Sequence, residues 1–197
     1  PNPWLGQQVD AYLYLYVNDQ LAYDQMDLSD VALTGFWNHA EGAQPRRKRP
    51  VQVRRGEHTY RREEVVHYRL FPIRAGEQTL PELKTSINVR RRVGFGGRWQ
   101  RVERVAPELK VNVRALPEAG RPKQFGGPAV GAVRLEARLD RTRIDGSAAA
   151  ELTVTSRIIG GMLANLPAPT VGKLDGFRGH RPATQEKVLV GRSGRVE

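Results

Sequence analysis

The sequence predicts an all-β protein made of tandem β-sandwich domains, and three observations carry that prediction. Apolar and polar residues alternate with period two in several short runs, turn signals fall about every eight to twelve residues, and no amphipathic helical pattern extends beyond about two turns. Short strands with frequent turns favour packed antiparallel sheets over an α/β arrangement.

The first element is the clearest. From Val9 to Val17, Val9, Ala11, Leu13, Leu15 and Val17 alternate with Asp10, Tyr12, Tyr14 and Tyr16, which predicts a strand with an aliphatic face and a tyrosine face. Asn18-Asp19 reads as a turn. In residues 21–40, Leu21, Met26, Leu28, Val31 and Leu33 fit either a short helix or two short strands. Between Ala40 and Val51, the run EGAQPRRKRP has two prolines and no apolar face, as a loop does. Val51 to Arg55 and Thr59 to Phe71 flank Gly56-Glu57-His58 and read as a hairpin.

A second hairpin is expected across Arg74-Ala75-Gly76-Glu77, with Thr79-Leu80 resuming the strand before Pro81. Leu83 to Val89 and Trp99 to Val105 are further strands, separated by a glycine-rich tip at Gly94, Gly96 and Gly97. Leu116 to Pro128 contains three prolines and three glycines without periodicity, the composition of a linker. Val130 to Leu139 and Ala150 to Ile158 then form strands around a turn at Ile144-Asp145-Gly146-Ser147. The predicted division is a sandwich over residues 1–115, a linker over 116–128 and a second, truncated sandwich over 129–197.

The residues offer little for catalysis. Cysteine is absent, which excludes thiol chemistry and disulfides within the chain. His39, His58, His67 and His180 lack the spacing of a metal motif, so neither a metal nor a cofactor is expected. Gly94-Phe95-Gly96-Gly97 lacks the lysine of a phosphate-binding loop, and Glu63-Glu64, Asp140 and Asp145 read as solvated side chains rather than a catalytic pair. The chain is therefore expected not to be an enzyme.

Binding is the remaining class. The Tyr12, Tyr14 and Tyr16 stripe fits an exposed patch for a protein partner, or a second core face if another sheet covers it, and the core is the favoured expectation because a buried strand can be apolar on both faces. The formal charge of +11 is uneven: residues 1–40 hold five aspartates and no Lys or Arg, whereas Arg46, Arg47, Lys48, Arg49, Arg54, Arg55, Arg61 and Arg62 follow closely. Arg46 to Arg49 are candidates for touching an acidic partner or anionic lipid, with a solvated loop as the plainer reading. Nucleic acid is not expected, because these arginines lack interleaved exposed aromatics.

Tyr68-Arg69-Leu70-Phe71-Pro72-Ile73-Arg74-Ala75-Gly76, followed by Leu80-Pro81, reads as a sandwich corner. Tyr68 and Leu70 share one strand face, Pro72 ends the ladder and Gly76 supplies the turn. Together with the preceding RRGEHTYRREEVV, this segment resembles the BatD (aerotolerance-operon, "oxygen tolerance") family, whose members carry a basic hairpin, a similar tyrosine-leucine-proline-glycine corner and a leucine or isoleucine before proline. The opening Pro3-Trp4-Leu5-Gly6-Gln7-Gln8-Val9 and the join LPEAGRPKQFGGPAVGAVRLEARLD are also similar to that family's domain start and inter-repeat link. The similarity covers most of residues 1–170. It departs at Ile159-Gly160-Gly161-Met162-Leu163-Ala164-Asn165, and the second unit lacks a corner of its own.

The resemblance implies tandem immunoglobulin-like domains on the periplasmic side of the inner membrane, in a parent protein with a signal peptide and a C-terminal transmembrane helix outside the present chain. It also implies protein–protein assembly, with von Willebrand factor A-type membrane proteins as partners, in a MoxR-associated stress response. It supplies no catalytic residues. The opening without Met and the close at Gly194-Arg195-Val196-Glu197, within a strand-like run, fit a chain cut at both ends. The alternative function is a polyanion or anionic membrane-surface module using the basic 46–62 region.

Overall fold

The computed structural model describes residues 2–39, 49–93, 96–121, 123, 127, 129–146, 148–172, 174–190 and 195–196. Among them are eleven strands and one 3-10 turn, so the chain is all-β as its alternation requires. It divides into two compact units, Pro1–Pro3 with Val9–Ala115 and Trp4–Gln8 with Leu116–Glu197.

In the first unit, the alternating run forms β1 (Val9–Asn18). The ambiguous region resolves into two short strands, β2 (Ala22–Leu28) and β3 (Phe36–Asn38). β4 (Val51–Arg55) and β5 (His58–Pro72) form a hairpin with Arg55 opposite His58. Its two-residue loop places Gly56 first with φ of 59°, a conformation that favours glycine and matches the strand twist.

β5 organises one sheet. β1 pairs along one edge, and β4 and β3 follow one another along the opposite edge, β4 against His58–Arg62 and β3 against Leu70–Pro72. Leu13 faces Val66 while Tyr14 faces Glu64, so Val65 is an extra residue on β5. This bulge keeps the faces in order. Beyond it, Val66, Tyr68 and Leu70 share the face of Leu13, Ala11 and Val9, whereas before it Arg61 and Glu63 share the face of Val17 and Leu15.

The second sheet has the order β2–β7–β8, with β7 (Leu83–Val93) and β8 (Gly96–Ala106) in continuous register. Leu83, Thr85, Ile87 and Val89 share a face with Gln100, Val102, Arg104 and Ala106. The inner faces of the two sheets look toward each other across a space bridged by a hydrogen bond from the Tyr23 hydroxyl to Glu63. The result is a β-sandwich in which Val17 and Ile87 are buried.

The expected hairpin across Arg74–Glu77 does not form. β6 (Gly76–Leu80) instead pairs with β9 (Leu109–Val113), a strand with no counterpart among the sequence expectations. The reason lies at the end of β5: Leu70 already has Val9 on one side and Asn38 on the other, and Pro72 has no N–H to give. Gly76, expected to return the chain in that hairpin, instead opens β6 opposite Val113, with φ of 93°. Leu70, Phe71 and Pro72 are fully buried, while Tyr68 is half-buried, with a phenol held above its ordinary pKa by burial and by the nearby Asp30.

The second unit differs from the expected second sandwich. Among its described residues it holds a single ribbon, β10 (Ala132–Leu139) with β11 (Leu152–Ile159), and a 3-10 turn at Leu163–Asn165. A sandwich requires two facing sheets, and the stretch after Asn165 has frequent Pro and Gly but no sustained alternation. Trp4–Gln8, expected at the start of the first sandwich, belongs to this unit: Gln8 donates its N–H to the Gly160 carbonyl at 3.0 Å and its side chain accepts from Val196 N–H at 2.8 Å. Gly161 permits the close approach of backbone here, since a Cβ would stand 2.1 Å from the Val130 oxygen.

The buried end of β5 should dominate the stability of the first unit. Leu70→Ala is expected to remove about 2–5 kcal/mol through lost burial and the cavity left behind, measured by urea unfolding. In the second unit, Asp140 closes the β10–β11 loop by accepting from Glu151 N–H and Arg141 Nε, both at 2.8 Å. Those bonds hold its carboxyl below the ordinary carboxylate range. Its contribution is present above the unfolded-state pKa and is lost as pH falls through the lower folded value. NMR titration should show the Asp140 carboxyl and the Glu151 amide shifting together below the ordinary range, and Arg141→Ala should move that transition up.

Candidate functional site

The outer face of the first sheet carries an aromatic and cationic ladder. Because side chains alternate along β1, Asp10, Tyr12, Tyr14 and Tyr16 share the face opposite the aliphatic residues. The β5 register sets His67 opposite Tyr12 and Arg62 opposite Tyr16. The Tyr12 ring stacks on His67 at 4.2 Å and on Tyr14 at 5.9 Å between centroids. Arg62 lies over Tyr14 at 4.8 Å, and Arg55 reaches from β4 to lie over Tyr16 at 4.2 Å. At the far end, His67 Nε2 meets Asp10 Oδ1 at 2.7 Å.

This ladder corrects the expectation that the tyrosine stripe is a second core face. Tyr12 is 44% exposed, and the rings are partly covered by Arg55, Arg62 and His67 of their own sheet. The physical reason is the long, amphipathic character of these neighbours. Arginine and histidine can cover a ring while keeping polar atoms in water. In the sequence, Arg55 and Arg62 stand out only as charge. Their role as stacking partners depends on register between β1, β4 and β5, which composition does not carry.

The other face of β1 borders a cleft of about 1270 Å³ inside the sandwich. Its wall from β7 is built of alternate residues, Leu83, Thr85, Ile87 and Val89, as expected for one face of a sheet. Its wall from β1 is different. Every residue from Leu13 through Leu21 lines it, including Tyr14 and Tyr16 from the opposite face, so the cleft follows the edge of β1 as well as its inner side. A polar cluster crosses the interior, with Tyr23 donating to Glu63 and Arg61 Nε bonded to Glu63 at 3.3 Å.

The remaining sequence candidates are dispersed. Arg46, Arg47 and Lys48 lie outside the described residues, and Arg49 is exposed. Tyr68, Leu70 and Pro72 belong to β5 and Gly76 begins β6, positions of scaffold rather than of the ladder. Among the described residues, no cluster of three or more His, Cys, Asp or Glu is arranged to hold a metal ion, and no helix is long and apolar enough to cross a membrane. Tyr68, Lys110 and Asp140 have displaced pKa values, and none of them lines the cleft.

The ladder sets ring area beside guanidinium and imidazole groups on one sheet face. Tyrosine and arginine are among the side chains enriched in the energetic centres of protein interfaces, because each combines a large apolar area with directed polar contacts. Comparison of the chain with family models, with curated proteins and with solved structures finds no match.

Proposed function

We propose that this chain is a non-catalytic protein-binding module of a BatD-like, membrane-anchored protein, with immunoglobulin-like domains facing the periplasm and von Willebrand factor A-type proteins as partners. The observation that carries the binding role is the ladder on the outer face of β1: Tyr12, Tyr14 and Tyr16 are ordered by Arg55, Arg62 and His67, and Tyr12 stays open to solvent. Stacking limits the rotamers of these side chains before a partner arrives, which lowers the entropy lost on association. The resemblance of the Tyr68 to Gly76 corner and the basic hairpin to the BatD family supports the cellular setting and the partner class.

Part of the basic region is engaged within the module itself. Arg55 and Arg62 cover tyrosine rings, and Arg61 is paired with Glu63. This favours a protein interface over a polyanion surface as the use of that region.

Association of the full chain with a von Willebrand factor A-domain protein can be measured by calorimetry. Replacing Tyr12, Tyr14 and Tyr16 together by Ala should weaken binding tenfold or more, equivalent to about 1.4 kcal/mol. Replacing Arg46, Arg47, Lys48 and Arg49 by Glu should leave most of the affinity. An affinity that survives the tyrosine substitutions but falls steeply with salt would identify the polyanion or membrane-surface reading as correct.

A further inference from the structure

Among the described residues, β1 pairs with β5 alone, and no strand pairs with the edge of β1 that lies away from β5. Asp19 donates its N–H to Thr59 on β5, and backbone groups alternate direction along a strand, so Val17 and Leu15 also turn toward β5 while Tyr14 and Tyr16 turn their N–H and C=O groups away from it. Those are the positions at which the cleft follows the strand edge.

Natural sheets protect such edges with lysine, proline, inward charge or a bulge. β1 has none of these between Leu13 and Asn18, and the bulge of this sheet lies on β5. The six residues from Leu13 to Asn18 span about 20 Å of edge. Beside that edge, Ile87, Val89 and Val102 give the floor apolar sites, with Thr85, Gln100 and Arg104 among them. The cleft of about 1270 Å³ is lined by every residue of β1 from Leu13 to Asn18, from both faces of the strand.

We infer that β1 accepts an added strand: an extended segment of a protein partner, apolar at every second residue, pairs with the backbone of Tyr14 and Tyr16 and fills the cleft with its inward side chains. This rests on the protein-binding reading above and specifies its mode. Main-chain hydrogen bonds supply affinity, and alternate side-chain sites supply selectivity. The outward side chains of the added strand lie beside Tyr14 and Tyr16, which joins the tyrosine face and the cleft into one recognition surface.

The test uses the full chain and two capped seven-residue peptides of the same composition, one alternating threonine with valine and one with its valines contiguous. Amide hydrogen exchange of Tyr14 and Tyr16 is followed by NMR. A peptide of Kd about 0.1 mM slows these amides roughly tenfold when present at about 1 mM. The alternating peptide is expected to produce that slowing and the contiguous one to produce much less.

Tyr16→Pro removes an outward N–H without breaking the β1–β5 ladder and should abolish the protection of Tyr14, while Tyr16→Ala should retain it. Unchanged exchange at Tyr14 and Tyr16 with the alternating peptide overturns strand addition, and it does so even if the proline variant fails to fold. Equal protection by both peptides overturns it as well, since simple apolar binding would suffice. Protection that rises with protein concentration alone, together with a doubled mass, assigns the edge to a second copy of this chain and overturns the partner. If calorimetry still shows tyrosine-dependent binding when peptide protection is absent, the protein-binding reading stands and only its strand-addition mode falls.

Discussion

The first unit depends on the two-sided hydrogen-bonding of one long strand. β5 extends from His58 to Pro72 and presents a backbone ladder on each edge, to β1 on one side and to β4 and then β3 on the other. A backbone group withdrawn from water must find a partner, and a central strand supplies partners to its neighbours on both sides. The full burial of Leu70, Phe71 and Pro72 at its end adds the apolar term that fixes this ladder in place. Because both edges are used at Leu70, the chain leaving β5 cannot fold straight back, and β6 must seek a distant partner in β9.

Register along this ladder also decides which chemistry meets solvent. A slip of one residue would exchange the aliphatic and tyrosine faces of β1. The extra residue at Val65 accommodates the change in alternation within β5, where Val65 and Val66 are adjacent apolar residues. With the bulge, Leu13 and Val66 stay together and Tyr12 stays with His67. The ladder of rings and guanidinium groups therefore follows from the same backbone constraint that forms the core. Its cation–π contacts are each worth about 0.5–1 kcal/mol at exposed positions, too little to define the fold but enough to bias the orientation of side chains.

Local pattern made much of this legible. The alternation from Val9 to Val17, the tight turn at Gly56-Glu57 and the strands β7 and β8 could be read because each depends on residues close in the chain, although Gly96 and Gly97, expected between those two strands, lie within β8. The pairing of Gly76–Leu80 with Leu109–Val113 could not, because it depends on which edges β5 has left available. β9 is only five residues long and follows Pro107, so its alternation is too brief to distinguish a strand from a loop. Trp4 to Gln8 resembles a domain start, yet the Gln8 N–H is bonded to the Gly160 carbonyl. At the candidate site, the tyrosines stood out in the sequence, while their stacking by Arg55, Arg62 and His67 required a register between three strands.

Among the described residues β1 is paired on one side only, and such a strand has reason to fray, because half of its backbone groups compete with water. In β1 the outer face opposes that tendency: Tyr12 to Tyr16 are tied to β5 and β4 through His67, Arg62 and Arg55, which hold the strand extended without occupying its edge. The inner face opposes it less completely, since Leu13 and Leu15 border an open cleft and are only partly buried, while Val17 is buried. The apolar residues that would close a sealed sandwich thus stay partly in contact with water, at a cost of about 25 cal/mol for each Å² left uncovered. A segment that entered the cleft would recover that term and complete the hydrogen bonding of an edge already held in the right conformation. Order on the outer face, at Tyr12, Tyr14 and Tyr16, and incomplete burial on the inner face, at Leu13 and Leu15, thus alternate along one stretch of β1.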